Sequence, residues 1–432
     1  MAAAGIVTEY NPFHNGHLYH LRKSREISSS GRIIAVMNGN FTQRGEPACL
    51  DKWLRAEMAV KAGVDLVLEL PVYSGVRSAH YFAQGAVRTL AATGVVNKIV
   101  FGSESGEIDT LLQIADILAR EPRAFRDIFH EYLRRGESYA RARTRAVNEY
   151  ISRYKDKNFD LSSQENSLQS PGDILSSPNN ILGVEYIKNI IRDDLEIKPA
   201  AIKRRQASYH EKTAGPGKIA SATAIRKLLC EKGVEETAAY LPEHSRAVLK
   251  KAVEENKAPL KVAKFKNMAL LNLRRSIRSE LINCPALSEN IVNTILSRQQ
   301  KGDNYQTLID KTTSRNQPSA RIRRGVLQAL LRFDEMIKAG LDEEFKPGYL
   351  RVLALGGEGE ELLSELDEKA ELPVITNPSQ LIGEVDFSRE KPEELHMSLD
   401  ILASDIYSLL YPGQEQRKTS LDFFTPLIKH TS

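Results

Sequence analysis

The stretch that most constrains this chain is residues 5–20, which read Gly-Ile-Val-Thr-Glu-Tyr-Asn-Pro-Phe-His-Asn-Gly-His-Leu-Tyr-His. Gly5 to Thr8 is apolar and β-branched, which is typical of a strand covered on both faces, and Asn11-Pro12 is turn chemistry that ends it. A helix is expected to begin beside Gly16. The pattern therefore predicts a strand, a tight turn and a helix, which together open a doubly wound α/β sheet.

Two histidines, His14 and His17, flank Gly16 at the expected helix start. A helix N-terminus offers free N–H groups and the positive end of the helix dipole, so it attracts phosphate. Imidazoles placed there can donate hydrogen bonds to an α-phosphate whose charge builds up as pyrophosphate leaves. The sequence therefore predicts a nucleotide site with His14 and His17 as catalytic residues. The alternative is that both histidines only cap the helix or lie on the surface.

Composition limits the class of protein. The chain has 432 residues, of which 41% are hydrophobic and 27% charged, as expected of a globular protein with two or three domains. No apolar run approaches the length of a membrane span and the first residues do not resemble a signal peptide, so we expect a cytoplasmic protein. Cys49, Cys230 and Cys284 are odd in number and far apart, which argues against a disulfide framework and a structural zinc site.

Further strands alternate with helices along the chain. They are predicted at Arg32–Met37, Val64–Leu70, Asn97–Phe101, Pro199–Lys203, Tyr349–Leu355 and Pro373–Thr376. Loops at the carboxyl ends of parallel strands form the ligand crevice of such sheets. Gly102, which follows the fourth strand, would let backbone amides approach the adenine or ribose of a nucleotide. The alternative is a glycine needed only for the turn.

A second phosphate-binding helix start is predicted at Ser221-Ala222-Thr223-Ala224-Ile225-Arg226. Two hydroxyl groups, from Ser221 and Thr223, stand at the N-terminus of this helix, and Arg226 follows one turn later. The alternative for Ser221 is a capping role alone.

Two helical regions are rich in basic residues. The first runs from Ile108 to about Tyr154 and the second from Leu241 to about Ala339. Basic helices can hold an RNA backbone, although a charge run is more often a solvated face. The predicted tRNA-binding residues are Arg141, Arg143, Arg145, Lys264, Arg274 and Arg275.

These regions suggest three domains. The first is a catalytic domain at 1–235 with a helical insertion at about 108–172, whose residues 156–172 are polar enough for a linker or lid. A basic helical domain at 236–345 and a small α/β subdomain at 346–432 follow.

Several motifs taken together resemble one family. They are Asn-Pro-Phe-His-Asn-Gly-His, Gly-Asn-Phe-Thr-Gln-Arg-Gly-Glu-Pro, Phe-Gly-Ser-Glu and Pro-Asn-Asn-Ile-Leu-Gly. With them the chain resembles the bacterial tRNA(Met) cytidine acetate ligases, of the nucleotidylyl-transferase superfamily that carries His-x-Gly-His. The similarity covers most of residues 5–230 and returns at Tyr349 to Gly357 and Leu402 to Pro412. The element at Ser221 also resembles one found in nicotinate-nucleotide and phosphopantetheine adenylyltransferases.

The resemblance implies an ATP-dependent ligase that uses Mg²⁺, forms acetyl-adenylate from acetate and acetylates N4 of the wobble cytidine, position 34, of elongator tRNA(Met). It implies no protein partner and no metal ligands from the chain. The implied ATP-binding residues are Ile6, Val7, Thr8, Glu9, Tyr10, Asn11, Pro12, Phe13, His14, Asn15, Gly16, His17, Leu18, Tyr19, Gly102, Asn179 and Arg204, joined by Ser221, Thr223 and Arg226.

Two other functions remain open at this point. A small-metabolite adenylyltransferase, of the nicotinate-nucleotide or phosphopantetheine type, would share both phosphate motifs but would have no use for a long basic helical extension. A non-catalytic RNA-binding protein with a vestigial nucleotide fold would not need both histidines together with Ser221, Thr223 and Arg226.

Overall fold

The structure is a computed structural model and describes residues 2–154, 171–204, 218–341 and 346–430. The predicted linker at 156–172 lies almost wholly outside these residues. The chain divides into two compact units, a larger one of Met1–Val96 with Arg205–Ser432 and a smaller one of Asn97–Arg204. The three segments that the sequence separates near residues 235 and 345 thus contribute to one larger unit.

The described residues form eight strands. They are β1 (Ala3–Thr8), β2 (Ile33–Asn38), β3 (Leu66–Leu70), β4 (Val96–Ser103), β5 (Lys198–Lys203), β6 (Leu350–Leu355), β7 (Val374–Ile375) and β8 (Ile428–Lys429). All six strands predicted after the first are present with slightly shifted ends, and β8 is an addition.

The described residues also form twenty α-helices. The first ten are α1 (Asn15–Ile27), α2 (Lys52–Lys61), α3 (Val72–Gly75), α4 (Ala79–Ala91), α5 (Ile108–Arg120), α6 (Arg123–Arg134), α7 (Tyr139–Tyr154), α8 (Pro171–Ile174), α9 (Pro178–Arg192) and α10 (Ala222–Lys232). The others are α11 (Glu243–Glu254), α12 (Val262–Arg275), α13 (Arg278–Ile282), α14 (Glu289–Gln300), α15 (Tyr305–Thr312), α16 (Ser319–Leu330), α17 (Phe333–Lys338), α18 (Gly359–Lys369), α19 (Pro392–Ser408) and α20 (Leu421–Phe424). Short 3₁₀ helices lie at Glu235–Tyr240 and Pro378–Gln380. Within the described ranges, no helix is both long enough and apolar enough to cross a membrane.

The sheet of the larger unit is mostly parallel. Strands β1, β2 and β3 are parallel neighbours, so Thr8, Asn38 and Leu70 end them at one edge. Strand β6 pairs with β3 in the antiparallel direction, and β7 and β8 both pair with β6 in parallel. Every residue of β2, β3 and β6 is buried, which fits a sheet covered on both faces. The predicted α/β class is confirmed, and the predicted strand β6 runs antiparallel to β3.

A large hydrophobic core joins the helical region to the rest of the larger unit. Aromatic residues from the loop after β2, from α3, α12, α17 and α19 meet in it, namely Phe41, Tyr73, Phe265, Phe333 and Tyr407. Because this core includes the C-terminal helix α19 and the basic helix α12, these helices fold as part of the larger unit rather than as separate bodies.

Buried charges fasten the C-terminal segment to the sheet. The Nζ atom of Lys52 lies 2.8 Å from Glu69 and 2.5 Å from Asp422, and Arg351 lies 3.1 Å from the same Glu69 carboxylate. All four side chains are almost completely excluded from solvent. Breaking one partner of a buried ion pair leaves the other uncompensated, so α2, β3, β6 and α20 are held together.

The smaller unit is built on a parallel pair, β4 and β5, in which Phe101 is opposite Ala201. Helices α5 and α9 pack on each other, and α6 and α7 form a second pair. The predicted helical insertion therefore corresponds to α5, α6 and α7.

Candidate nucleotide site

The start of helix α1 is built by the two predicted histidines. The Nδ1 atom of His14 accepts hydrogen bonds from the backbone N–H groups of Gly16, at 3.1 Å, and His17, at 3.4 Å. The Nδ1 atom of His17 accepts in return from the backbone N–H of His14, at 3.2 Å. The arrangement is a capping box in which both side chains are imidazoles.

This capping fixes the tautomer of both rings. Since each Nδ1 atom is an acceptor, the proton of a neutral imidazole resides on Nε2, which is then a hydrogen-bond donor. The two rings stack, with their centroids 3.7 Å apart and their planes 18° apart. His14 and His17 therefore cap the helix, as the alternative interpretation held, and also keep two Nε2–H donors side by side.

The structure gives a geometric reason for a glycine at position 16 that the sequence does not reveal. A Cβ atom at this position would lie 2.9 Å from Cε1 of the His14 ring. Only glycine leaves room for this ring to fold back over the first turn of α1. Gly16 therefore allows the His14 ring to occupy its observed position.

Aromatic residues support the two histidines. The ring centroid of Tyr10 lies 4.6 Å from that of Phe13 and 5.1 Å from that of His17, and Phe13 lies 5.7 Å from His17. Both supporting rings are buried, and burial raises the pKa of Tyr10, which keeps its phenol neutral. The implied ATP-binding segment at residues 6–19 thus includes buried residues that position the histidines.

The second predicted helix start lies beside the first. The hydroxyl of Ser221 caps α10 by accepting from the backbone N–H of Ala224 at 3.2 Å. The guanidinium of Arg226 donates to the hydroxyl of Thr223 at 3.2 Å and to the backbone carbonyl of Asn11 at 2.8 Å. One arginine thus links α10 to the turn before α1.

A side-chain amide makes a further link between the same two regions. The Nδ2 group of Asn15 donates to the carbonyl of Lys218, at 2.9 Å, and to that of Ala239, at 3.1 Å. The start of α1, with His14 and His17, and the segment around the start of α10, with Ser221, Thr223 and Arg226, are therefore linked by hydrogen bonds within the larger unit.

The smaller unit gathers the other three predicted residues. Arg204 is exposed and donates through Nη1 to the side-chain carbonyl of Asn179, at 3.2 Å. A Cβ atom on Gly102 would lie 3.2 Å from the Cγ atom of Arg204, so the glycine leaves space for that arginine. The neighbouring Arg205, which the sequence offers as the alternative to Arg204, lies outside the described residues.

Two residues of the smaller unit, Glu104 and Asn180, were missed by sequence reasoning. The carboxylate of Glu104 accepts from the side chain of Asn179, at 2.6 Å, and from the backbone N–H of Asn180, at 3.0 Å. The buried side chain of Asn180 accepts from Ser103, at 2.7 Å. Glu104 therefore accepts from a backbone N–H of the first turn of α9 and orients the side chain of Asn179. The sequence signal that could have revealed Glu104 is its place in Phe-Gly-Ser-Glu, two residues after Gly102.

The predicted tRNA-binding arginines of α7 are engaged within the smaller unit. Arg143 pairs with Glu185 at 2.7 Å, and only 16% of its side chain is exposed. Arg141 lies 3.7 Å from Glu137, and Arg145 pairs with the same glutamate. These pairs compensate much of the positive charge that the sequence shows on α7.

The predicted basic residues of α12 differ among themselves. Lys264 donates to the backbone carbonyls of Leu409 and Tyr411, each at 3.3 Å, and desolvation followed by nearby cations lowers its pKa. Arg274 and Arg275, in the last turn of α12, are exposed and make no ion pair with any described residue. The exposed surface of Arg274, Arg275, Leu271 and Ile277, called here the α12 surface, is both basic and apolar.

Comparison with known proteins identifies the family. A model of the HIGH nucleotidyl transferase family matches residues 1–422. The tRNA(Met) cytidine acetate ligase of Halothermothrix orenii is 39% identical over 430 residues, which is 100% of both chains. The chain belongs to the tRNA(Met) cytidine acetate ligase family. Another ligase of this family, from Thermosipho africanus, is 36% identical over 99% of both chains.

Solved structures of this ligase family agree with the fold. Thermotoga maritima TmcAL bound with α-thio ATP has a TM-score of 0.88 and 34% sequence identity, over 100% of both chains. The apo form of the same protein also has a TM-score of 0.88, with 35% identity. The resemblance stated from the sequence motifs is thereby confirmed, and the Thermotoga maritima protein is seen with an ATP analogue bound.

Proposed function

We propose that this protein is an ATP-dependent ligase that makes acetyl-adenylate from acetate and transfers the acetyl group to N4 of the wobble cytidine of elongator tRNA(Met). The observation that carries the proposal is the pair of stacked imidazoles at the start of α1, each with Nδ1 accepting from the backbone, so that a neutral ring carries its proton on Nε2. Such donors, fixed before the substrate binds, suit a phosphate that gains charge in the transition state.

In the first step, a carboxylate oxygen of acetate bonds to the α-phosphorus of ATP. The bond from that phosphorus to the bridging oxygen breaks, and pyrophosphate leaves with the electron pair. The reaction needs no covalent enzyme intermediate, so the residues contribute positioning and charge stabilisation. We assign His14 and His17 to the phosphate oxygens through their Nε2–H groups.

The start of α10 is proposed to hold the leaving phosphates. The Ser221 hydroxyl already accepts from the helix, so its own proton can be donated outward. Arg226 ties this helix start to Asn11, 2.8 Å away, and so sets the spacing of the two phosphate-binding elements. For Gly102, Asn179 and Arg204 of the smaller unit, ATP binding is proposed from the family resemblance.

Mg²⁺ bound together with ATP would supply charge neutralisation for the phosphates. Among the described residues no group of three His, Cys, Asp or Glu side chains is placed to hold a metal ion.

In the second step, the N4 amine attacks the acetyl carbon, AMP leaves and the amine loses a proton. The tRNA must be held so that this amine reaches the mixed anhydride. We propose the α12 surface, with Lys264, as one contact for the RNA backbone, because Arg274 and Arg275 are exposed and not neutralised within the described chain. A tRNA-modifying ligase meets its substrate in the cytoplasm, where we propose that this protein acts.

The test uses radiolabelled ATP, Mg²⁺ and acetate, with and without tRNA from a strain that lacks this ligase. AMP and pyrophosphate are followed, and the tRNA is digested to search for N4-acetylcytidine. The proposal expects all three products only when acetate is present. Cleavage of ATP only after addition of nicotinate mononucleotide or phosphopantetheine would instead favour a small-metabolite adenylyltransferase.

A further inference from the structure

Buried arginines in this protein fall into two groups. Among the described residues, Arg32, Arg55, Arg77 and Arg351 are almost fully buried. Arg351 pairs with Glu69 and Asp422, and Arg32 pairs with Glu365 at 2.7 Å. Arg55 donates to four backbone carbonyls, those of Glu9, Asn38, Gly39 and Leu50. Each of these three guanidinium groups therefore has acceptors supplied by the chain.

Arg77 is the exception. Its guanidinium carbon lies 3.7 Å from the ring centroid of Tyr81 and 5.2 Å from that of Tyr73. Its Nε and Nη1 atoms are buried and have no hydrogen-bond partner among the described residues. Only 4% of the residue is exposed. The contacts of this cation are thus aromatic rings, which attract a charge but accept no strong hydrogen bond.

A buried guanidinium without an anion is destabilising, because its N–H groups have lost water and gained nothing equivalent. Proteins keep such a group where a ligand completes it. A carboxylate is the natural complement, since its two oxygens match the planar fork of the guanidinium.

Arg77 lies at the edge of the sheet where the candidate site begins. It follows β3 and the short helix α3. Its backbone carbonyl accepts from the side chain of Gln43, at 3.0 Å, and the backbone N–H of Gln43 donates to Glu9, at 2.7 Å. Two hydrogen bonds through one residue therefore connect Arg77 to the segment that carries the histidines.

We propose that Arg77 binds the carboxylate of acetate. The inference rests on the proposed function and assigns the acid substrate to a residue. A singly charged carboxylate balances the single charge of the guanidinium, and the rings of Tyr73 and Tyr81 supply an apolar wall for a methyl group. A carboxylate oxygen that accepts from the guanidinium keeps a second lone pair, and with this pair it attacks the α-phosphorus.

Phosphate is a poorer occupant for this position. The phosphates of ATP already have two helix starts, at α1 and α10, with hydroxyl and imidazole donors. A group with more than one negative charge would remain under-compensated beside a single buried cation.

The experiment compares the wild-type protein with Arg77→Gln, Arg77→Lys and, as a matched control on the surface, Arg120→Gln. Arg120 is exposed on α5, where it pairs with Asp116. The KM for acetate is measured by AMP release at saturating ATP, and the Kd for ATP by equilibrium dialysis. Binding of acetate is measured separately by saturation-transfer NMR of its methyl protons, with α,β-methylene ATP present so that no reaction occurs.

We expect Arg77→Gln to raise the KM for acetate by about 50-fold or more and Arg77→Lys by about tenfold, since lysine keeps the charge but loses the fork. The Kd for ATP should stay within about twofold, and Arg120→Gln should match the wild type. A purely structural arginine would not separate the two substrates in this way. If Arg77→Gln does not fold, Arg77→Lys carries the same comparison.

An unchanged KM for acetate in an active Arg77 variant would overturn the assignment and leave the proposed function standing. If the wild type makes no AMP from acetate, the proposed function fails, and the NMR arm decides about Arg77 alone. Saturation of the methyl signal by the wild type but not by Arg77→Gln supports a carboxylate site. Equal saturation by both, or by neither, overturns it.

Discussion

The start of α1 and the end of α12 both present groups that suit phosphate, but the fold treats them in opposite ways. At α1, His14 and His17 are held by reciprocal hydrogen bonds and stacked rings above buried aromatic residues. At α12, Arg274 and Arg275 are long, exposed side chains that make no ion pair with any described residue. One region is fixed by contacts within the protein, whereas the other is exposed to solvent.

The difference teaches which property each region controls. Fixed donors lower the free energy of a transition state because they need no reorganisation during the reaction. Flexible surface cations give affinity that depends on salt, and they lose side-chain entropy on binding. Substitutions at α1 should therefore change chemistry, and substitutions at α12 should change tRNA binding.

The largest effect is expected from His14→Asn and His17→Gln. Asparagine is a good N-cap and glutamine can complete a capping box, so both variants keep the helix start while losing the Nε2–H donor. Acetyl-adenylate formation should fall about 10²- to 10³-fold for each. The free energy of unfolding should change by less than about 1 kcal/mol, as measured by urea denaturation. Near-normal AMP release from a folded variant would contradict the role of the imidazoles.

Arg226→Met should have the next largest effect, because it removes the hydrogen bond that joins α10 to Asn11. Adenylate formation should fall about 10- to 100-fold through misplacement of the second helix start. Steady-state AMP release measures the loss, and Lys227→Met, at an exposed position of the same helix where the lysine lies 3.9 Å from Glu231, is the matched control. Equal losses in the two variants would mean that the link to Asn11 is unimportant.

Reversal of charge at Arg274 and Arg275 together should lower tRNA affinity about tenfold. The slope of log affinity against log salt concentration should become shallower by about one to two. Filter binding at several salt concentrations measures both quantities. Adenylate formation without tRNA should be unchanged, and Arg120→Glu on exposed α5 is the control. An unaltered salt slope would show that the α12 surface is only solvated.

The smallest effect is expected on α7. Glu137 pairs with both Arg141 and Arg145, so Glu137→Gln would release two cations without removing either. If α7 contacts tRNA, the affinity of the Glu137→Gln protein for tRNA should rise about two- to threefold at low salt. Arg143, which pairs with Glu185 instead, is the matched site, and Arg143→Gln should chiefly lower stability. No gain in affinity from Glu137→Gln would remove α7 from the tRNA surface.

Sequence reasoning located the strands and both helix starts, because apolar runs and capping residues are local signals. It did not foresee β6 beside β3 in the antiparallel direction, since pairing between residues hundreds of positions apart leaves no local mark. It did not foresee that Gly16 leaves room for the His14 ring, and the expected contact of this glycine with a ligand stays a prediction. Arg77 and Asn180 were missed because nothing local separates them from other polar residues, and Glu104 was missed although it stands in Phe-Gly-Ser-Glu.

The sequence by itself determined the α/β class, the family and the positions of the two helix starts that we propose bind phosphate, because these depend on residue types at short, regular spacings. Only the tertiary structure decided which charges are available. Arg143 pairs with Glu185 and Lys52 with Glu69, whereas Arg274 is exposed and Arg77 is buried against two rings. The physical reason is that the worth of a charge depends on its partners and its access to water, and both are set by residues distant in the chain.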